Sequence, residues 1–193
     1  VTDLTTPALP GELAAITVHI DRWRAALPPD AWPGGFLETG VVWRRDVFAV
    51  ADTWRAGEAT PRQLLSAVLM WGYGPIGYGP WRTARSLEGD PDGTRLARAL
   101  DGLRGPIPDE DVLRTAYRRL RDPKESRLPR LGPAFFTKLL YFAGYRRGAG
   151  GLQPLILDSV VARRLPAGSG VSRPSAWLSA EWLAYLRWAA DQA

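Results

Sequence analysis

The sequence predicts an all-α protein, on three observations. Apolar residues recur at helical spacing along nearly all of its 193 positions. Helix-start signals stand where those runs begin, foremost Thr60-Pro61-Arg62-Gln63, a capping box with proline at the first helical position. The β-rich runs at 40–43 and 155–157 are too isolated to build a sheet. The length suits one domain covering 1–193.

The first predicted helix covers 11–26, with Leu13, Ile16, Ile20 and Trp23 on one face. A proline- and glycine-rich loop follows at 28–35. Residues 45–56 form the next helix, with Val47, Val50, Ala51 and Trp54 inward, and the capping box opens a third that runs to about Trp71. Helices at 80–88 and 92–101 precede one at 109–121. Asp109, Glu110 and Asp111 load the N-terminus of that helix, and Arg114, Arg118, Arg119 and Arg121 fill its later turns. Residues 134–145, 159–165 and 179–191 complete the set. Trp177, Trp182, Leu183, Leu186 and Ala189 recur at the intervals expected of core.

The helix pattern breaks most sharply between Trp71 and Trp81, where Gly-Tyr-Gly-Pro occurs twice, five residues apart. Glycine and proline impose a loop there. Its aromatic residues, Trp71, Tyr73, Tyr78 and Trp81, either stack on a nucleobase or wedge into a duplex, or they pack a tight connector onto the core.

Composition narrows the chemistry. There is no cysteine, which excludes disulfides, thiolate zinc sites and an iron–sulfur cluster. One histidine, His19, cannot make a histidine metal site and reads as structural. No apolar run approaches the roughly 20 residues of a membrane span, and no signal peptide is visible in the opening residues, so a cytoplasmic location is expected. The formal charge of +5 and a pI near 10 point to a polyanionic partner, nucleic acid before membrane.

Of the 25 basic residues only Lys124 and Lys138 are lysines. Lys124 lies in a polar loop. Lys138 lies inside the apolar stretch Phe135-Phe136-Thr137-Lys138-Leu139-Leu140-Tyr141-Phe142. Arginine is the usual holder of carboxylate and phosphate, whereas only lysine has an amine that burial can turn into a nucleophile. Lys138 is therefore a candidate Schiff-base former. The alternative is a lysine whose stem covers core while its ammonium reaches water.

Four features run in order through 128–165. Leu128-Pro129-Arg130-Leu131-Gly132 is a tight turn, and the helix bearing Lys138 follows. A glycine-rich loop with Arg146 and Arg147 comes next. The apolar run Leu155-Ile156-Leu157 then leads to Asp158, which stands where a helix N-cap would be, twenty positions after Lys138. This order resembles the helix-hairpin-helix DNA glycosylase superfamily, and most closely its lysine-bearing, 8-oxoguanine DNA glycosylase-like branch. There the hairpin reads Leu-Pro-Gly-Val-Gly, a catalytic lysine follows in the next helix, and a catalytic aspartate caps a later one.

Two departures mark a divergent branch. Arg130 replaces the first hairpin glycine, so an altered hairpin backbone or a rearranged set of phosphate-binding amides is expected. Lys138 also comes four residues later after Gly132 than the family pattern has it, about one helical turn.

The resemblance implies a helix-hairpin-helix fold that excises an oxidised or otherwise modified base from double-stranded DNA, with 8-oxoguanine as the default. Lys138 would be the Schiff-base nucleophile, with AP-lyase action, and Asp158 would stabilise the oxocarbenium-like sugar. Arg130, Gly132, Arg146, Arg147, Arg163 and Arg164 become candidate phosphate contacts, about half of the arginines being plain surface. Trp71, Tyr73, Tyr78, Trp81 and Phe135 become candidates for the base pocket or wedge. The resemblance further implies a monomer associated with a bacterial nucleoid, no catalytic metal, and room for a monovalent cation at the hairpin carbonyls. The rival expectation is a non-catalytic helix-hairpin-helix DNA-binding module; a third reading is a helical protein–protein adaptor.

Overall fold

A computed structural model describes residues 15–36 and 39–193. The fold is all-α: β1 (Ile16–Thr17), α1 (Ile20–Ala26), β2 (Val41–Val42), α2 (Arg44–Ala56), α3 (Pro61–Tyr73), α4 (Gly79–Glu88), α5 (Thr94–Leu100), α6 (Glu110–Arg121), α7 (Pro133–Gly144), α8 (Ser159–Ala162) and α9 (Ser179–Asp191).

The helix starts follow the local signals. Thr60 accepts from the Gln63 amide at 3.2 Å, and the Gln63 side chain accepts from the Thr60 amide at 2.8 Å, closing the capping box of α3. Asp109 accepts from the Val112 amide at 2.8 Å and caps α6.

The N-terminal expectations need correction. Residues 11–14 of the predicted first helix lie outside the described residues, and α1 begins only at Ile20. Residues 16–17 are extended and pair antiparallel with 41–42, Ile16 opposite Val42 and Thr17 opposite Val41. The 40–43 run is thus a strand with a partner. Its mate is Ile16-Thr17-Val18, a β-branched run that favours the extended state over the helix its periodicity suggested.

Helix α7 lies against α2, α3 and α6. Every residue from Phe136 to Gly144 is buried, the mark of a helix apolar on all sides. Lys138 is the one charged residue in it. Around it, Tyr117 of α6 meets Phe136 edge-on at 4.8 Å and stacks on Trp182 of α9 at 5.1 Å. Its hydroxyl donates to the Trp177 carbonyl at 2.7 Å. Arg187 of α9 also grips Glu110 of α6 with two bonds, of 2.6 and 2.9 Å. The C-terminal helix is therefore fixed to the helix preceding the 128–132 turn. Trp177, Trp182, Leu183 and Leu186 are core, as their spacing suggested.

Candidate active site

Lys138 and Asp158 meet. The lysine Nζ donates to Asp158 Oδ2 at 2.6 Å and to the Ala134 carbonyl, one turn back on α7, at 3.0 Å. The lysine side chain is 10% exposed and the aspartate 23%. Asp158 occupies the N-cap of α8, where its other oxygen, Oδ1, accepts from the Val160 and Val161 amides at 3.0 Å each. One carboxylate thus caps a helix and faces an amine at once. Burial pushes its pKa up; the Lys138 hydrogen bond, the two amides and the lysine charge outweigh that and hold it below the usual carboxylate range. Asp158 therefore stays ionised near neutrality.

The approach to Asp158 is clamped residue by residue. Trp182 Nε1 donates to the Leu155 carbonyl at 2.9 Å, and the Tyr185 hydroxyl to the Ile156 carbonyl at 3.3 Å. At Leu157, the Thr137 hydroxyl accepts from the amide at 3.2 Å and lies 3.1 Å from the carbonyl. This segment is no strand; its polar groups are satisfied by side chains of α7 and α9 instead of a sheet neighbour. Tyr185 is pushed up to about 12, first by burial and then by the Asp158 charge, so its hydroxyl keeps its proton.

Aromatic rings frame the lysine. Phe135 stacks on Tyr73 at 4.2 Å, and Lys138 Nζ lies 5.5 Å from the Phe135 ring centre. Tyr78 meets Tyr73 edge-on at 5.9 Å. A Cβ added at Gly72 would come within 3.3 Å of Lys138 Cδ, so glycine lets α3 approach the lysine stem closely. Four of the aromatic candidates are thus linked to α7: Phe135 beside the lysine, Tyr73 stacked on Phe135, Tyr78 against Tyr73, and Trp71 edge-on to Phe142 at 5.2 Å. Trp81 lies at the turn, its ring 5.4 Å from the Arg130 guanidinium. Ile76, Tyr78 and Trp81 are the exposed apolar residues of this α3–α4 region.

The 128–132 turn is held from beneath. The Ser86 hydroxyl of α4 donates to the Pro129 carbonyl at 2.6 Å, and Pro129 fills the space a side chain at Gly89 would need. Arg130 has φ of 61°, the left-handed conformation in which glycine is at home. At this position arginine adopts the conformation that glycine favours. The amides of Arg130 and Gly132 donate to no acceptor among the described residues. Arg82, Arg121, Arg127 and Arg130 line a cavity of about 700 Å³ beside the turn, with Gly132 and Phe135.

The predicted arginines fall into different settings. Arg130, Arg147, Arg163 and Arg164 are exposed, the last two following α8. Arg146 is different: its guanidinium donates to the carbonyls of Ala143, Tyr145, Leu103 and Gly105 at 2.8–3.3 Å and ties α7 to the loop before α6. Its side chain does structural work, not foreseen from its place in a glycine-rich loop.

Sequence reasoning missed Thr137, Trp182 and Tyr185 as positioning residues. Thr137 had a signal: it precedes Lys138 as Leu157 precedes Asp158, so the two pairs share one spacing. Among the described residues no cluster of histidine, cysteine, aspartate or glutamate could hold a metal ion, and no helix is long and apolar enough to cross a membrane.

No curated protein and no solved structure matches the chain. Residues 12–193 match the family model described as "Putative 8-oxoguanine DNA glycosylase OGG-like protein". That match spans nearly the whole sequence, from before β1 to beyond α9, and takes in the lysine, the aspartate and every element that holds them. The chain belongs to this 8-oxoguanine DNA glycosylase-like family.

Proposed function

We propose that the protein is a bifunctional DNA glycosylase, which excises an oxidised or otherwise modified base from duplex DNA and nicks the strand through a lysine Schiff base. The observation that carries this reading is the Lys138–Asp158 pair, at 2.6 Å, which joins the one charged residue of α7 to the N-cap of α8. 8-Oxoguanine is the substrate the family suggests.

Lys138 first gives up its ammonium proton to water, and the freed Nζ lone pair bonds to C1′ of the target nucleotide as the C1′–N bond breaks. That bond's electron pair leaves with the base, which takes up the proton the nitrogen sheds. The C1′–O4′ bond then opens, O4′ receiving its electron pair and a proton, and the nitrogen lone pair completes a protonated C=N bond. Loss of a C2′ proton expels the 3′ phosphate with the C3′–O electron pair, and water hydrolyses the imine to return the amine. Asp158, ionised and already hydrogen-bonded, is a poor proton acceptor. It acts by its charge, stabilising positive character on the sugar. The 128–132 turn reads as a helix-hairpin-helix hairpin whose unpaired amides meet a DNA phosphate. A monovalent cation there belongs to the same proposal: the Leu128 and Pro129 carbonyls each accept one hydrogen bond and keep a lone pair, and no step above depends on the ion.

The rival, a non-catalytic DNA-binding module, draws on one observation: both Asp158 oxygens are already engaged, as in a purely structural ion pair. Borohydride trapping decides between them. Wild type and Lys138→Gln are incubated with duplexes bearing 8-oxoguanine, other modified bases, an abasic site or no lesion. A covalent adduct on a lesion duplex that is lost in the variant, with binding retained, supports the enzyme. DNA binding without any adduct favours the module.

A further inference from the structure

Arg44 opens α2 in an unusual setting. Its guanidinium lies 5.5 Å from the Trp71 ring centre and 6.0 Å from that of Tyr141. Its Nε is buried and has no hydrogen-bond partner, and no carboxylate pairs with the side chain among the described residues. A cation at a helix N-terminus also opposes the helix dipole. A buried donor left unsatisfied is costly, and more so when charged. Arg62, which is buried where Arg44 is half-buried, donates to the carbonyls of Asp90 and Pro91 and pairs with Asp30. Arg44 has two rings and no oxygen.

Its position relative to the lysine is defined. Tyr141 follows Lys138 by three residues on α7, and Trp71 precedes Gly72, the residue pressed against the lysine stem. The two rings that flank the unpaired donors thus belong to the two helices, α3 and α7, that meet at the lysine. Tyr141 also walls a neighbouring cavity of about 400 Å³ with Phe48, Tyr145 and Arg45, which Arg44 and Trp71 do not line. A planar cation between aromatic rings, with free N–H groups, suits a planar ligand that brings its own acceptors. Arginine is the usual partner of the oxygen-bearing edge of guanine.

We propose that Arg44 is a specificity-determining residue, donating from its guanidinium to a carbonyl oxygen of the everted oxopurine, with Trp71 and Tyr141 as the apolar walls. This rests on the glycosylase reading above. The step that needs Arg44 is base recognition; the lyase step on an abasic site, which has no base to read, does not.

The test compares wild type, Arg44→Gln and Arg44→Lys in two single-turnover assays, excision of 8-oxoguanine and borohydride trapping on an abasic duplex, alongside thermal melting. Excision by Arg44→Gln should fall at least roughly 30-fold, about 2 kcal/mol at 1.4 kcal/mol per decade, while abasic trapping and melting temperature stay close to wild type. Arg44→Lys, which keeps the charge and loses the fork, should fall between the two. Unchanged excision in Arg44→Gln overturns the proposal, and so does an equal loss in both assays, which would mark a fold or DNA-binding role. Wild type that neither excises nor traps would instead overturn the glycosylase reading itself.

Discussion

Lys138 and Asp158 stand one residue beyond a second pair with the same separation. Thr137 bonds Leu157, and their two neighbours form the ion pair, so α7 and the 155–158 segment are joined in register at two consecutive positions. The buried hydroxyl sets where the carboxylate comes to rest.

Thr137→Val keeps the side-chain shape and removes that hydroxyl. The Leu157 amide and carbonyl would then be buried with no partner from α7, and we expect a stability loss of about 1–3 kcal/mol by chemical denaturation. Asp158 would lose its register with the amine, and excision should fall by roughly 10- to 100-fold, as small misplacements do. Full activity in a destabilised Thr137→Val would show that the ion pair aligns itself without this support.

The lowered pKa of Asp158 ties stability to pH in a defined direction. A carboxyl held below its unfolded value of about 3.9 contributes stability that is fully present above that value and is lost as pH falls through the folded value. Asp158→Asn removes the titration. Wild type should therefore melt above the variant at neutral pH, and the gap should close over roughly pH 5 to 2. A gap that stays constant through acid would mean that the carboxylate charge adds nothing to folding.

Arg130 should show stability and DNA affinity moving in opposite directions. Its left-handed backbone costs a side-chain-bearing residue about 1–2 kcal/mol, and glycine avoids that cost. Arg130→Gly should hold or raise the melting temperature by a few degrees, while weakening duplex binding and reducing the salt slope by about one phosphate contact. A large drop in melting temperature would mean that the arginine's contact with Trp81 outweighs the backbone cost.

The arginines near the lysine should divide by role. Arg146→Gln removes donors from four carbonyls and should lower stability while leaving the salt dependence of DNA binding unchanged. The double change Arg163→Gln with Arg164→Gln removes exposed charge only. It should leave melting unaltered and flatten the salt slope by about two contacts. Fluorescence-anisotropy titrations at several salt concentrations, paired with melting curves, read both effects, and the reverse pattern would exchange the two roles.

The parts of this fold legible in the sequence are those governed by short-range chemistry. The capping box at Thr60 and the cap at Asp158 each need only residues two or three positions away, and both appear where the sequence put them. The lysine stood out because its neighbours are apolar, and the α7 helix answers for them by being buried on all sides. The pairing of Ile16 with Val42 was hidden because it depends on a partner more than twenty residues on, while the local spacing mimics a helix. The carbonyl contacts of Arg146 and the left-handed backbone of Arg130 were hidden for a related reason. A sequence shows that a guanidinium or a turn position is present, but which carbonyls surround one, and which φ the other adopts, is decided by distant packing.

The clamp on residues 155–157 has a consequence for the order in which the protein comes into being. Two of its three fasteners, Trp182 and Tyr185, lie in α9, beyond both reactive groups in the chain. During synthesis the lysine and then the aspartate leave the ribosome before the helix that fixes the segment leading to Asp158 exists. A nascent chain stalled before α9 would carry both groups with only the Thr137 fastener in place, so the geometry that joins them would be complete only once α9 has emerged and docked.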